Sequence, residues 1–565
     1  MKLLCWFWLG WMGMAGIFAA GLGEGRAIAQ PAPPQSPELP PLPDRLPPPS
    51  PEILVPPLGP PEDREGPSEA VGEIQVREIQ VLGNTVFSAE ELAPITEAYE
   101  GRSLVFEDLI NLRTQITDLY VENGYTTSGA FIPPQDVTDG VVQVQVVEGR
   151  LDRLTIAGVS RLSEGYIRRR IGRAAEPPLS LPELERALQL LQQDPAIASV
   201  RAELVAGRAP GLSELRLNLT EASPFQGGLR LANRNSPNVG SIRPSAQLEF
   251  HSPLGIGDSL WGEFGITEGV REGGMEYQVP LNSQNTRLSL LYRRGRSRVV
   301  QRPFNVLGIR STEENWQLGL SHPIWETPND QFRLGLSLGI ERSRTFISED
   351  DPFSFSEGPQ QGRSNLTVLQ FTQEWSSRSP AEVVAARSQV SLGLDAFNAT
   401  RNQDDPDGQF FAWLGQFQWV RSLSPDTLLI TRVASQLSTD PLLPISQFGI
   451  GGPDTVRGYL QNQRVGDSGV IASVEFRYPL IQDPGGLGTL QIAPFLDVGT
   501  VWNLGGDREV PTPQTLVGTG VGLRWDVNPD LSATLDWGIP LVGVGDRGDS
   551  LQGNGIYFSI EYNLF

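Results

Sequence analysis

The chain has 565 residues, a formal net charge of −22, one cysteine and two histidines. Lys2 is its only lysine, so nearly all positive charge is arginine. One cysteine and two histidines cannot build a structural zinc site or an iron–sulfur cluster, and an acidic chain almost free of lysine is poorly suited to nucleic acid, whose affinity comes from neutralised phosphates.

Residues 1–29 read as a secretory signal. Lys2 supplies the positive start, an apolar stretch runs from Leu3 to Leu22, and Ala27, Ile28 and Ala29 form an A-x-A cleavage site before Gln30. A membrane anchor is the competing reading, because the stretch is nearly long enough to span. The cleavage site and the proline-rich sequence behind it favour removal. Loss of Lys2, Glu24 and Arg26 leaves 42 basic and 65 acidic residues, a balance of −23. Cys5 leaves with the signal, so no disulfide is available to the exported chain. Residues 30–72 form a linker; 16 of the 37 residues from Pro31 to Pro67 are proline, which makes an extended spacer and no helix.

Residues 73–222 contain a repeat. IQVLGNTVFS at 79–88 aligns with LTIAGVSRLS at 154–163, and VQVQVVE at 142–148 with LRLNLTE at 215–221. Each unit, 73–149 and 150–222, reads strand, helix, helix, strand, strand. In the first, Ile74–Leu82 is a strand. Ser88 and Glu91 make a capping box. Leu109, Leu112, Ile116 and Leu119 mark a helix that Gly124 stops, and Thr126–Ile132 and Val141–Val147 are strands. In the second, Ser180 and Glu183 make another capping box, Leu184, Leu188 and Leu191 mark the core face, and Ile197–Val205 and Ser213–Thr220 close the sheet. The edge strand of each small sheet is a template for an incoming extended chain.

From residue 223 to 565 the helical spacing disappears. Sixteen segments of about ten residues alternate apolar and polar, the rhythm of a transmembrane antiparallel barrel. Connections after even-numbered strands are short and those after odd ones include Arg344–Arg363 and Thr439–Ser468. Short turns face the periplasm, which places the two modules there as well. A set of soluble β-sandwiches is the competing architecture; strands this numerous would show clearer linkers. At the end of the chain Ile556, Phe558, Ile560, Tyr562 and Leu564 form one apolar face, and Phe565 falls out of that register, as a bulge or a frayed end would allow.

Several strings carry a family resemblance. GYTTSGAFIPPQ at 124–135, followed by Asp139-Gly140 and Val147-Glu148-Gly149, resembles the polypeptide-transport-associated (POTRA) domain of two-partner secretion transporters, within the Omp85 superfamily. Val456, Arg457, Gly458 and Tyr459 match the superfamily's VRGY loop, and Phe495, Asp497 and Gly499 its F-x-D-x-G strand motif. The resemblance covers residues 73–565. It implies two POTRA modules and a sixteen-stranded outer-membrane barrel that secretes an unfolded exoprotein through its N-terminal secretion domain, without cofactor or metal, as a monomer in outer-membrane lipid. It further implies that the VRGY loop folds into the lumen and that Arg457 pairs with Asp497. Substrate capture falls to Phe131, Pro133, Pro134 and Gln135. The proline-rich spacer departs from the family by leaving no room for an N-terminal plug helix. An Omp85-type insertase and a passive porin are the alternatives.

Other strings have structural readings. Gly466-Asp467-Ser468-Gly469 resembles a serine-protease string, but His251 and His322 sit at periplasmic strand ends, far from a triad. Gly335–Gly339 alternates as a strand, not as a nucleophile elbow. Gly518–Gly522 has no following helix to make a phosphate loop. Arg168, Arg169, Arg170 and Arg173 read as a solvated helix face, with lipid headgroups or acidic cargo as the alternative. No catalytic constellation remains.

Overall fold

The computed structural model describes residues 73–564 apart from 138, 349–350, 404–405, 484–485, 506–507 and 546–547. The signal, the proline-rich segment and Phe565 lie outside the described residues.

The first module comprises β1 (Ile74–Val76), β2 (Glu78–Leu82), α1 (Ala89–Thr96), β3 (Arg102–Leu104), α2 (Phe106–Glu122), β4 (Gly129–Phe131) and β5 (Val141–Val147). Its sheet has the order β2-β5-β4, with β2 parallel to β5. The period of α2 buries Leu109, Leu112, Ile116 and Tyr120 against Val142, Val144 and Val146 of β5, whose alternation supplies the facing row. The second module repeats this with β6 (Arg150–Ala157), α3 (Glu164–Gly172), α4 (Leu181–Gln192), β7 (Ile197–Ala206) and β8 (Leu212–Glu221), in the order β6-β8-β7 with β6 parallel to β8.

The repeat extends to one polar device. Glu148 follows β5 and accepts from the Thr85 and Val86 N–H groups at 2.6 and 3.2 Å. Glu221 ends β8 and accepts from Ser160, Arg161 and Leu162 N–H at 3.0, 2.8 and 2.7 Å. Each carboxylate pins the loop leaving the module's parallel partner strand. Burial pushes the Glu221 carboxyl up, but the N–H donors of Leu162, Ser160 and Arg161 outweigh it and hold it at about 2.

Three local expectations need correction. Ile74–Leu82 is two strands, because β1 turns away at Arg77 to pair with β3 in a separate ribbon. The strand expected over Thr126–Ile132 shrinks to β4, because Tyr125–Ser128 is a turn closed by Ser128 N–H to Tyr125 O at 2.9 Å, and Pro133 and Pro134 have no N–H with which to extend the ladder. Ser180 precedes α4 but makes no side-chain cap; Pro182 in the first turn already lacks one of the N–H groups a cap would satisfy. Ser163, by contrast, caps α3 by accepting from Tyr166 N–H.

The barrel strands are β9 (Phe225–Ala232), β10 (Arg243–His251), β11 (Ser259–Ile266), β12 (Val270–Pro280), β13 (Arg287–Arg298), β14 (Arg310–Glu326), β15 (Asp330–Ile347), β17 (Arg363–Arg378), β18 (Glu382–Gly393), β19 (Phe411–Ser424), β20 (Thr427–Ser438), β23 (Ser468–Asp483), β24 (Gly488–Trp502), β25 (Thr515–Asn528), β26 (Leu531–Pro540) and β27 (Ile556–Asn563). These sixteen antiparallel strands close on themselves through β27 and β9, which leaves no open edge. A two-residue strand, β16 (Asp351–Pro352), lies against the end of β15, and β15 pairs with β17 along most of its length. Outward positions carry Leu, Phe, Trp and Ile exposed to what would be lipid, such as Leu318, Leu336, Trp537 and Leu496. Inward positions are mostly polar, with apolar residues such as Leu291, Val368 and Leu414 among them.

The second module rests on the short-turn end of the barrel. Ser163 N–H donates to Gly255 O at 2.8 Å, and the Gln193 amide donates to Pro328 O at 3.0 Å. Gly257, at φ +81°, sits under the Tyr166 ring, where any Cβ would overlap it.

Candidate functional site

The segment between β20 and β23, residues 439–467, is the longest barrel connection and turns into the lumen. A small hairpin of β21 (Phe448–Ile450) and β22 (Arg464–Gly466) carries it. Val456 and Tyr459 at its tip are fully buried with Ile450, Phe448, Val501 and Leu516. An apolar contact therefore holds the tip to the wall, and a polar one orients it.

The polar contact centres on Arg457, which is 4% exposed. Its Nε donates to Asp497 Oδ2 at 2.8 Å and its Nη2 to Oδ1 at 3.0 Å, a two-pronged pairing; its backbone N–H also reaches Oδ2 at 3.1 Å. Nη1 donates to Glu475 Oε2 at 2.7 Å and to Asp536 Oδ1 at 3.3 Å. The guanidinium carbon lies 3.4 Å from the centre of the Phe495 ring. Arg524 in turn bridges Glu475 and Asp536 at 2.9 and 2.8 Å, and Arg477 donates to Glu475 at 2.8 Å. Three arginines and three carboxylates thus form one network.

The strand period explains why the F-x-D-x-G residues act together. Phe495, Asp497 and Gly499 are alternate, inward positions of β24. Phe495 and Asp497 hold the guanidinium. Gly499 leaves room for Val456, whose methyl would lie 2.9 Å from a Cβ there. Gly458 has φ +103° and lies flat on Gly538, so that the chain approaches β26 backbone to backbone. The Gly458 N–H donates to the Tyr557 hydroxyl at 2.8 Å, and that hydroxyl donates to Tyr459 O at 2.6 Å. The Tyr459 hydroxyl accepts from Val542 N–H at 3.1 Å and lies 2.8 Å from Val517 O.

Residue spacing alone missed Glu475, Asp536, Arg477, Arg524 and Tyr557. Each occupies an inward position on β23, β25, β26 or β27 beside the loop. Strand parity would have flagged them, but nothing in the sequence says which inward charges meet. The protease-like string also has a place. Asp467 is fully buried and accepts from Leu442 N–H, Leu504 N–H and Arg508, which knots the base of the loop to the following connection.

The loop leaves open a lumen cavity of about 1970 Å³, lined by Arg293, Gln317, Ser337, Gln370, Gln389 and Gln416 among others. Its walls are more polar than apolar, although Phe410, Phe417 and Trp525 also line it.

In the first module, Phe131 is 43% exposed on the edge strand β4. Gln135 does not project into solvent. Its amide accepts from Gln143 N–H and donates to Gln143 O, both at 2.8 Å, and so stands in for a strand residue beyond the end of β4. In the second module Gln192 does the same to β7, meeting Val200 N–H at 2.6 Å and Ala198 O at 3.0 Å. Beyond Val200 no strand among the described residues pairs with the outer side of β7. By the period of two, the N–H and C=O groups of Ala202 and Leu204 point to that open side.

The family model described as haemolysin secretion/activation protein ShlB/FhaC/HecB matches residues 211–525, and the ShlB-type POTRA domain model matches 74–149. An outer membrane transporter CdiB of Escherichia coli O6:K15:H31 is 25% identical over 83% of this chain and 79% of its own. The haem/hemopexin transporter protein HuxB of Haemophilus influenzae Rd is 21% identical, covering 72% of each chain. The solved structure of CdiB from Escherichia coli superposes with a TM-score of 0.68 at 22% identity, over 91% of this chain and 94% of that one.

Proposed function

The chain belongs to the haemolysin secretion/activation family, and from that premise we propose how its parts move cargo. It is an outer-membrane transporter of two-partner secretion, with its modules in the periplasm and a separate exoprotein as its partner. In the proposed mechanism the exoprotein arrives unfolded and presents its N-terminal secretion domain as an extended strand. The open edge of β7 pairs with it by β-augmentation, and at β4, whose Ala130 N–H is already taken by Thr117, the exposed ring of Phe131 packs on its side chains. Pro133, Pro134 and Gln135 keep β4 short, so that the capture edge has a defined end. The chain then enters the lumen as a monomeric conduit, and the Arg457 loop yields to it. In this scheme residues 1–29 leave on export and 30–72 span part of the periplasm ahead of modules at 73–149 and 150–222, with the barrel from 223. Folding of the cargo outside draws the rest through, because binding and folding are the free energies at hand.

The observation that carries this reading is the six-charge network on the inner wall. A loop held by hydrogen-bonded charges, with cavity beside it, has somewhere to go when those bonds are exchanged. Arg457→Ala is expected to leave the barrel folded and inserted, by heat-modifiable mobility, while secretion falls at least tenfold. Undiminished secretion by that variant would sink the loop step. Deleting residues 73–149 should abolish partner binding while bilayer conductance persists. Mild depletion separates the insertase alternative: loss of many outer-membrane proteins, in place of one exoprotein, would favour it.

A further inference from the structure

In its extracellular half the outer wall of the barrel is charged in one place among the described residues. On β12 to β17, lumen-lining residues such as Glu276, Leu291, Gln317, Ser337 and Gln370 fix which parity points inward. The opposite parity therefore faces the membrane, as exposed Leu290, Trp316, Leu318 and Leu336 do. At the long-loop ends of these same strands that outward row changes abruptly to arginine. Arg271 of β12 is the register partner of Arg296 on β13, Arg296 of Thr312 on β14, Thr312 of Arg344 on β15, and Arg344 of Arg363 on β17. One step outward, Arg298 opposes Arg310; one step inward, Arg294 and Arg342 flank Glu314. Eight outward arginines thus share these positions with a single carboxylate. The extracellular halves of the other strands carry no outward charge among the described residues.

Among the described residues no carboxylate forms an ion pair with Arg271, Arg294, Arg296, Arg298, Arg342, Arg344 or Arg363. Arg344 Nε is buried without a hydrogen-bond partner. In a protein of net charge −22, grouped arginines without partners repel one another unless an external anion joins them. Their height supplies the rest. They lie just beyond the Tyr292–Trp316 ring pair, whose centres are 4.2 Å apart, at the place of an aromatic girdle. That level on the outside is the headgroup zone of the outer leaflet. Guanidinium forks match phosphate oxygens in pairs, and adjacent strands repeat every ~4.8 Å, a spacing suited to several phosphates on one large headgroup.

We propose that the outer face formed by Arg271, Arg294, Arg296, Arg298, Arg342, Arg344 and Arg363, with Arg310, binds the phosphorylated headgroup of lipopolysaccharide. The lipid neutralises the patch and fixes the rim of β13 to β17 in the outer leaflet. The test titrates the purified full-length protein in detergent with labelled lipopolysaccharide, its enzymatically dephosphorylated form and phosphatidylglycerol. The variants are the triple Arg296→Gln, Arg344→Gln, Arg363→Gln and the control Arg421→Gln, an outward arginine at the opposite end paired with Glu382. The proposal expects at least tenfold weaker lipopolysaccharide binding by the triple variant, wild-type binding by the control, and at least tenfold weaker binding of the dephosphorylated lipid to the wild type. Should the triple variant fail the heat-modifiable mobility check, Arg344→Gln alone is read, with a loss of about threefold expected. Equal binding by variant and wild type overturns the proposal. So does equal binding of dephosphorylated lipid or phosphatidylglycerol, full displacement by millimolar inorganic phosphate, or a variant that loses exoprotein binding and keeps lipopolysaccharide binding.

Discussion

At the scale of residues, Arg457 and Glu221 show two uses of a charged group. Arg457 is one member of a balanced cluster, and removing one partner of a buried set leaves the others unpaired, at a cost of about 3–5 kcal/mol. Arg457→Ala should therefore free the loop from the wall, not merely trim a contact, and raise single-channel conductance in planar bilayers. Arg457→Lys keeps the charge but cannot fork onto Asp497, so its conductance is expected to fall between wild type and alanine. Glu221 acts alone on three backbone donors. Its carboxyl lies near 2 in the folded module against an ordinary 4.5. A depressed carboxylate stabilises the fold above its unfolded value and loses that contribution as pH falls through its folded value. Pepsin should thus begin to cut near residues 158–163 as pH drops from about 4.5 toward 2. Glu221→Gln should be cut throughout that range with little pH dependence.

At the scale of elements, periodicity located all sixteen barrel strands and most elements of the repeat. The reasons are physical. A strand with one face in lipid must alternate, and a helix on a sheet must repeat near 3.6. Errors fell where another rule intervened. β14 and β15 outrun the expected length of about ten residues, reaching Arg310 and Ile347 at their long-loop ends. There the alternation stops being apolar and becomes arginine, while the ladder hydrogen bonds continue. The Arg457–Asp497 pairing came from motif resemblance; its four charged neighbours needed the closed barrel to bring β23, β25 and β26 side by side. The same applies to the edge of β7, which only the sheet order exposes. Since Ala202 directs its N–H to the open side, Ala202→Pro removes no ladder bond and should leave the module folded. Partner binding is expected to weaken at least tenfold by pull-down with the secretion domain, whereas Arg201→Pro, which breaks a bond to β8, should unfold the sheet.

At the scale of the whole molecule, the second module and the barrel meet at glycines. Gly255 and Gly257 lie in the β10–β11 turn with positive φ, and their backbones touch Arg161 and Tyr166. Side chains would separate the two surfaces. Gly257→Val is expected to leave the barrel heat-stable but to increase hydrogen exchange at 161–167, and to slow secretion by misaiming the module at the pore. The short connections gather at this end and the long ones at the other, so the chain's asymmetry is one of loop length as well as of domain placement.

The neutrality of the lumen network has an electrical consequence. Arg457, Arg477 and Arg524 balance Glu475, Asp497 and Asp536 only while the loop is seated. Once it withdraws, two arginines face three carboxylates, and the wall gains a net negative charge at its narrow level. The vacated pore should favour potassium over chloride more than the seated one does. A shift of reversal potential under a salt gradient would then report the loop's position in a working transporter, without any label on it.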